Sequence, residues 1–213
     1  LKYIRDLKLE NANNNNLIDI SDYTESPEIC NGRVKTLHPK IFGGILALRD
    51  NNNHLSDLNK INSVTFDTII VNLYAFAETV KNTEKEEEII EQIDIGGHSL
   101  IRAGIKNYKN ISVIISPNQY GEYMKLIMEN NKITEESNYE YAKEAIRYIM
   151  NYDIDINNWF NGVNNVGISY SKYSDMKYGL NPYMKPSSVY KKNGKSAPYE
   201  ILNGKPGYIN LLD

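Results

Sequence analysis

Cysteine is almost absent from this 213-residue chain. The single one, Cys30, has no internal disulfide partner, which points to a reducing, cytosolic compartment. The histidines His38, His54 and His98 have no metal-ligand spacing and no neighbouring cysteines, so no metal centre is expected. No apolar run approaches the roughly 20 residues of a membrane span, and no signal peptide opens the chain. Positive charge is not in excess: 24 Lys and Arg against 27 Asp and Glu give a formal net charge of −3. That balance supplies no basic field for a nucleic-acid backbone. Gly96-Gly97 is neither a dinucleotide fingerprint nor a P-loop.

Hydrophobic residues make up 41% of the chain, enough for a packed core. Asparagine is over-used, in NANNNN at 11–16 and NNN at 51–53. With frequent Lys, Ile and Tyr this reads as genome bias, and the clusters fall where loops belong. Leu1 to Leu9 has the pattern of a short amphipathic helix, and Leu17–Ile20 that of a short strand. Phe66–Tyr74 is dense in β-branched and aromatic residues and reads as a buried parallel strand; Ile111–Ile115 reads as a second. Thr83 with Glu86 has the form of a capping box, and Ser116-Pro117 that of a cap followed by a first-turn proline. Thr134 caps a longer helix whose apolar face holds Tyr141, Ala142, Ala145, Ile149 and Tyr152. Alternating strands and helices predict an α/β layered domain over 1–160. The glycine- and asparagine-rich stretch 161–174 reads as a linker, and 175–213 as the opening of a second domain. Both ends of the chain have the look of cuts.

Three groups have chemical potential. In GRVKTLHPKIFGG, Arg33 and Lys35 suit an anion or a proton-transfer partner, with Thr36 beside them; as a motif alone, a solvated basic turn is the plainer reading. Asn72 and Tyr74 fall at the end of a strand, where open α/β sheets bind ligands, or they complete a turn. Asp94 with Gly96 and Gly97 stands before a helix, as an anion site or simply a cap, and Arg102 and Lys106 share one face of that helix.

Three blocks, GRVKTLHPKIFGGILALRD, FDTIIVNLYAFAETV and EQIDIGGHSLIRAGIKNY, occur in this order with these spacings. Together they resemble the N-terminal domain of the bifunctional purine-biosynthesis family that joins inosine monophosphate (IMP) cyclohydrolase to aminoimidazole carboxamide ribonucleotide (AICAR) transformylase. The later KYGLNPYMKP and YEILNGKPGYINLLD resemble the start of the transformylase domain. The resemblance implies a methylglyoxal-synthase-like α/β domain with a mostly parallel sheet flanked by helices, followed by the opening of a second α/β domain. It implies closure of formamidoimidazole carboxamide ribonucleotide (FAICAR) to IMP with loss of water. Lys35, Tyr74, Asp94 and Lys106 match the family's catalytic positions. Asp94 and Lys106 are then expected to handle the carboxamide proton, and Tyr74 and Lys35 to assist departure of the formyl oxygen. Arg33, Thr36, Asn72, Gly96, Gly97 and Asn107 are expected at the substrate, with backbone groups of Lys35 and Thr36 stabilising the oxyanion. Lys177 and Tyr178 are expected on the transformylase side.

The resemblance also implies no metal or organic cofactor for ring closure, formyl-tetrahydrofolate as co-substrate of the parent transformylase, and a homodimer. The expected partners are purine-nucleotide intermediates, with no nucleic acid and no membrane. The family's phosphate-binding loop is expected before Leu1, and the transformylase's catalytic lysine–histidine pair beyond Asp213. Some positions depart from the pattern: Ala75 for proline, Phe42 and Tyr108 for histidines, and Lys177, Tyr183 and Met184 in the second domain. These predict weaker transformylase-side binding more than weaker ring closure. Two other readings compete: a phosphorylated-ligand-binding regulatory module of the same fold, and an inactive gene fragment.

Overall fold

Two strands, β1 (Thr68–Ile70) and β2 (Ser112–Ile114), pair in parallel, with Ile69 opposite Val113. The ladder is extended by Ser112 N–H donating to Asp67 O and Val71 N–H donating to Ile114 O, each at 2.9 Å. The connection between them runs through α4 (Phe76–Asn82), α5 (Glu86–Ile90) and α6 (Gly96–Lys106). Because α6 leads directly back to the start of β2, its N-terminus lies at the C-terminal edge of the strands and its C-terminus at the opposite edge. Gly104 permits this packing: a Cβ there would stand 2.5 Å from Ile69 Cδ1 and 2.7 Å from Val113 Cγ2. The computed structural model describes residues 17–130, 133–162, 166–193, 195–197 and 199–212. The helix pattern expected over Leu1–Leu9 lies outside them.

The chain divides into two compact units, one reaching Met150 and one from Asn151 onward. The first adds α1 (Ile20–Thr24), α2 (Pro39–Leu46), α3 (Asn52–Lys60), α7 (Tyr120–Asn130) and the first part of α8 (Glu135–Asn161). Its core gathers Ile41 and Ile45 of α2, Ile69, Ile101, Val113, and Ala145 and Ile149 of α8. Each fully buried aliphatic side chain contributes about 1.5–3 kcal/mol. The expected apolar face of α8 is buried at all five positions. The paired glycines of α2 do allow close backbone packing: a Cβ on Gly44 would meet Val64 O at 2.4 Å.

Several local expectations change. Leu17–Ile20 is not a strand: Asp19 accepts from Ser21 N–H at 3.2 Å and starts α1 at Ile20. The run Phe66–Tyr74 contributes only three strand residues, and Ile70 is 56% exposed. Among the described residues β1 pairs with a strand on one side only. Thr83 accepts from Lys85 N–H at 3.2 Å and closes a turn before α5 instead of forming the expected box. The box forms instead at Ser116, with Gln119, before a short 3-10 turn.

In the second unit, β3 (Tyr170–Asp175) and β4 (Ser188–Lys192) pair antiparallel, and α9 (Ile209–Leu212) follows. The tail of the expected linker is therefore strand: Tyr170 to Asp175 find backbone partners across β4 that composition alone did not reveal. Asn158 holds the preceding turn, donating to Gly167 O at 2.9 Å and accepting from its N–H at 2.7 Å.

Candidate functional site

The C-terminal edge of the β1–β2 pair brings the three sequence blocks together. Asp94 Oδ1 accepts from Gly97 N–H at 2.6 Å and caps α6, so its carboxylate is held at the positive end of the helix. A Cβ on Gly97 would stand 2.7 Å from Asp94 Oδ2 and 3.0 Å from Val71 Cγ1, so the helix start rests against the chain leaving β1. A Cβ on Gly96 would stand 2.8 Å from Thr36 Oγ1, which seats the basic loop on the same helix start. Tyr74, 57% exposed, follows two residues after the exposed Asn72, and lies near enough to Lys35 to act on its charge.

The basic loop is shaped by a short antiparallel bridge. Ile29 N–H donates to Val34 O at 3.2 Å, and Val34 N–H returns to Ile29 O at 3.3 Å. Arg33 donates Nη2–H to Glu91 Oε2 at 2.5 Å, and Nε–H to Oε1 at 3.3 Å. That fork raises the Arg33 guanidinium still further and lowers the Glu91 carboxyl, first by hydrogen bonding and then by charge. Lys35 Nζ lies 2.9 Å from Glu28 Oε2. The Lys35 ammonium is raised chiefly by its hydrogen bond to Glu28 and then by that carboxylate's charge, with smaller contributions from Asp19 and Tyr74. Among the described residues, the backbone N–H groups of Lys35 and Thr36 have no acceptor. Two adjacent unused donors beside an ammonium are suited to an oxygen that gains negative charge.

Lys106 is not part of this cluster. It ends α6, ten residues after Gly96, which is about 15 Å of helix. Its exposed side chain makes no ion pair with any described residue. Asp94 and Lys106, the pair expected to handle the carboxamide proton, stand at the two ends of one helix. Asn107, expected at the substrate, follows Lys106 at the end of α6. Its buried amide donates to Ile45 O at 2.7 Å and Ala47 O at 3.1 Å, and its Oδ1 accepts from Asn110 Nδ2 at 3.0 Å. Those bonds tie the end of α2 to the end of α6 and leave no side-chain donor for substrate. The residues that sequence reasoning missed here are Glu28 and Glu91, the carboxylates on the two loop cations. Glu28 follows Ser26-Pro27 and Glu91 lies beyond the acidic run Glu84–Glu88, and no local pattern marks either as a partner of a loop cation.

In the second unit, Lys177 N–H donates to Pro206 O at 2.9 Å, and the Lys177 ammonium lies 6.0 Å from the centre of the Tyr178 ring. Tyr178 packs on Gly207, where a Cβ would stand 3.3 Å from its Cε2. The two late blocks thus meet each other.

Comparison with known proteins agrees with this architecture. The family model for the MGS-like domain matches residues 8–99, which gives the class of the first unit: an MGS-like α/β domain. A solved structure titled "Crystal structure of ForH" superposes with a TM-score of 0.60 at 24% identity, covering 75% of this chain and 80% of its own, and shares the fold. The model for the AICARFT/IMPCHase bienzyme matches residues 104–213. The chain belongs to the AICARFT/IMPCHase bienzyme family. A bifunctional purine biosynthesis protein PurH of Caldicellulosiruptor saccharolyticus is 38% identical over the whole chain, which spans 43% of that relative. The protein of the same name from Thermoanaerobacter sp. strain X514 is 40% identical over 93% of the chain, and the match spans 41% of it. The chain thus spans roughly two fifths of the length of these relatives.

Proposed function

We propose that the first unit holds the ring-closing site of an IMP cyclohydrolase, converting FAICAR to IMP by loss of water. The observation that carries this reading is the meeting of Lys35-Thr36, Tyr74 and Asp94-Gly96-Gly97 at one sheet edge, with Thr36 Oγ1 against Gly96. The carboxamide nitrogen is a poor nucleophile and the formyl oxygen must leave as water, so a proton acceptor, a proton donor and an oxyanion site are all needed. Asp94 takes the proton as the carboxamide nitrogen attacks the formyl carbon. The oxygen of the tetrahedral intermediate faces the Lys35 and Thr36 N–H groups. Lys35 is a donor and not a base, because Glu28 favours its charged form. Tyr74 and Lys35 supply the two protons with which the formyl oxygen leaves as water, and the formamido N–H proton is released to solvent as the ring C=N bond forms.

The AICAR-formylating activity with formyl-tetrahydrofolate would belong to the longer parent protein, acting as a cytoplasmic homodimer on purine-nucleotide intermediates. Lys177 and Tyr178 would lie on its substrate side. Among the described residues no helix is long and apolar enough to cross a membrane.

The test is IMP formation from FAICAR, followed by ultraviolet absorbance, with this chain and with a longer version extended upstream. Turnover in either that is lost in Asp94→Asn supports the reading. A longer version that binds the nucleotide without converting it replaces it with a regulatory phosphorylated-ligand module.

A further inference from the structure

We propose that Glu28 is a positioning residue for Lys35: the loop 28–35 is built to hold the Glu28 carboxylate on the Lys35 ammonium and aim that ammonium past Tyr74. The Ile29–Val34 bridge makes Glu28 and Lys35 the next pair across the loop, so their side chains emerge together. Closing so short a loop takes three consecutive residues with positive φ, Cys30 at 54°, Asn31 at 53° and Gly32 at 94°. Only the last is glycine, and a left-handed non-glycine residue carries a backbone cost of about 1 kcal/mol or more. Gly32 also leaves room for the carboxylate: a Cβ there would stand 2.6 Å from Glu28 Oε1.

Stability does not account for this arrangement. Both side chains of the pair are 42% exposed, and an ion pair at such a site contributes only about 0–1 kcal/mol. Orientation does account for it. A lysine has four rotatable side-chain bonds, and a donor to a departing oxygen must be held in one place. The groups facing the Lys35 ammonium are Glu28 across the loop, Asp19 at the start of α1, and Tyr74 after β1. Glu28 is the one bonded to it.

What Lys35 donates to rests on the ring-closing reading, but the pair is testable without turnover. Competitive acylation of lysine amines across pH, read by peptide mass, gives the titration midpoint of Lys35 in the whole chain. Glu28→Gln is expected to lower that midpoint, so that Lys35 is labelled faster than in the original chain at a fixed pH below it. Glu28→Asp, which keeps the charge, is expected to fall between. Lys109, paired with Glu135 at 3.2 Å, serves as the unchanged control. A Lys35 curve in Glu28→Gln that superimposes on the original, with Lys109 also unmoved, overturns the proposal. Failure of the ring-closing reading appears separately, as absence of FAICAR conversion in both this chain and the version extended upstream, and leaves the labelling result standing.

Discussion

Thr36 Oγ1 occupies the place where a side chain on Gly96 would begin, 2.8 Å from that Cβ position. The basic loop and the start of α6 are therefore one fitted surface. Gly96→Ala crowds Thr36 Oγ1, and the loop is expected to shift with it and carry the Lys35 and Thr36 N–H groups off the oxyanion position. We expect kcat/KM for ring closure to fall at least about tenfold, since misplacement by about 1 Å costs up to roughly a hundredfold. The far-ultraviolet circular dichroism should be unchanged. Activity retained within twofold would show that the loop does not need this contact.

Asp94 has two roles that substitutions separate. As a cap it accepts from Gly97 N–H, and Asp94→Ala should cost about 1 kcal/mol of stability in urea unfolding. Asp94→Asn keeps the cap and removes the proton acceptor. It should unfold close to the original midpoint yet close no ring. An active Asn variant would reduce Asp94 to a cap.

The separation of Asp94 and Lys106 along α6 gives a further expectation. Residues that act as one unit are strongly non-additive in kinetics, whereas groups beyond about 10 Å are additive. The effects on ring closure of Asp94→Glu, which keeps a carboxylate and residual turnover, and of Lys106→Ala, measured by single-turnover kinetics, should multiply in the double variant. A double variant no slower than the worse single one would restore the shared-proton scheme.

Gly44→Ala tests the packing of α2. The added methyl would stand 2.4 Å from Val64 O and 2.5 Å from Phe66 Cε2. A backbone oxygen cannot rotate away, so α2 must shift. Overpacking of this kind costs about 1–3 kcal/mol, visible as a lower urea midpoint with an unchanged slope.

Tyr141 predicts an alkaline limit to stability. Its side chain is 5% exposed, and its hydroxyl has no hydrogen-bond partner among the described residues. Burial first, then the charges of Glu122, Tyr123 and Glu144, push the phenol from 10.0 up to about 12. The fold disfavours the phenolate, so this contribution is present below pH 10 and is lost as pH rises toward 12. The loss amounts to roughly 2–3 kcal/mol at most. Tyr141→Phe should be neutral or slightly stabilising at pH 7, because it removes an unsatisfied hydroxyl. It should also flatten the difference in unfolding free energy between pH 9 and pH 11. An unchanged alkaline slope would place the loss elsewhere.

Elements with strong local signals are legible in the residues alone. The apolar face of α8 repeats at helical spacing, Ser116-Pro117-Asn118-Gln119 holds a complete cap, and Val113 sits in a continuous β-branched run. Periodicity and capping act over a few residues, so they are legible without a fold. The identities of Lys35, Tyr74 and Asp94 as site candidates were legible too, through the motif spacing that resembles the family. Only the tertiary structure decided which of these meet. Asp94 and Lys106 look adjacent in a motif, but they stand at the two ends of a helix about 15 Å long. Asn107 looks like a ligand, but burial spends its amide on Ile45 and Ala47 carbonyls. Glu28 looks like a turn residue, but a bridge register that no local pattern encodes sets it on Lys35. Contacts between distant segments depend on how helices pack across the sheet, and that is fixed by the shared core and not by the residues that touch.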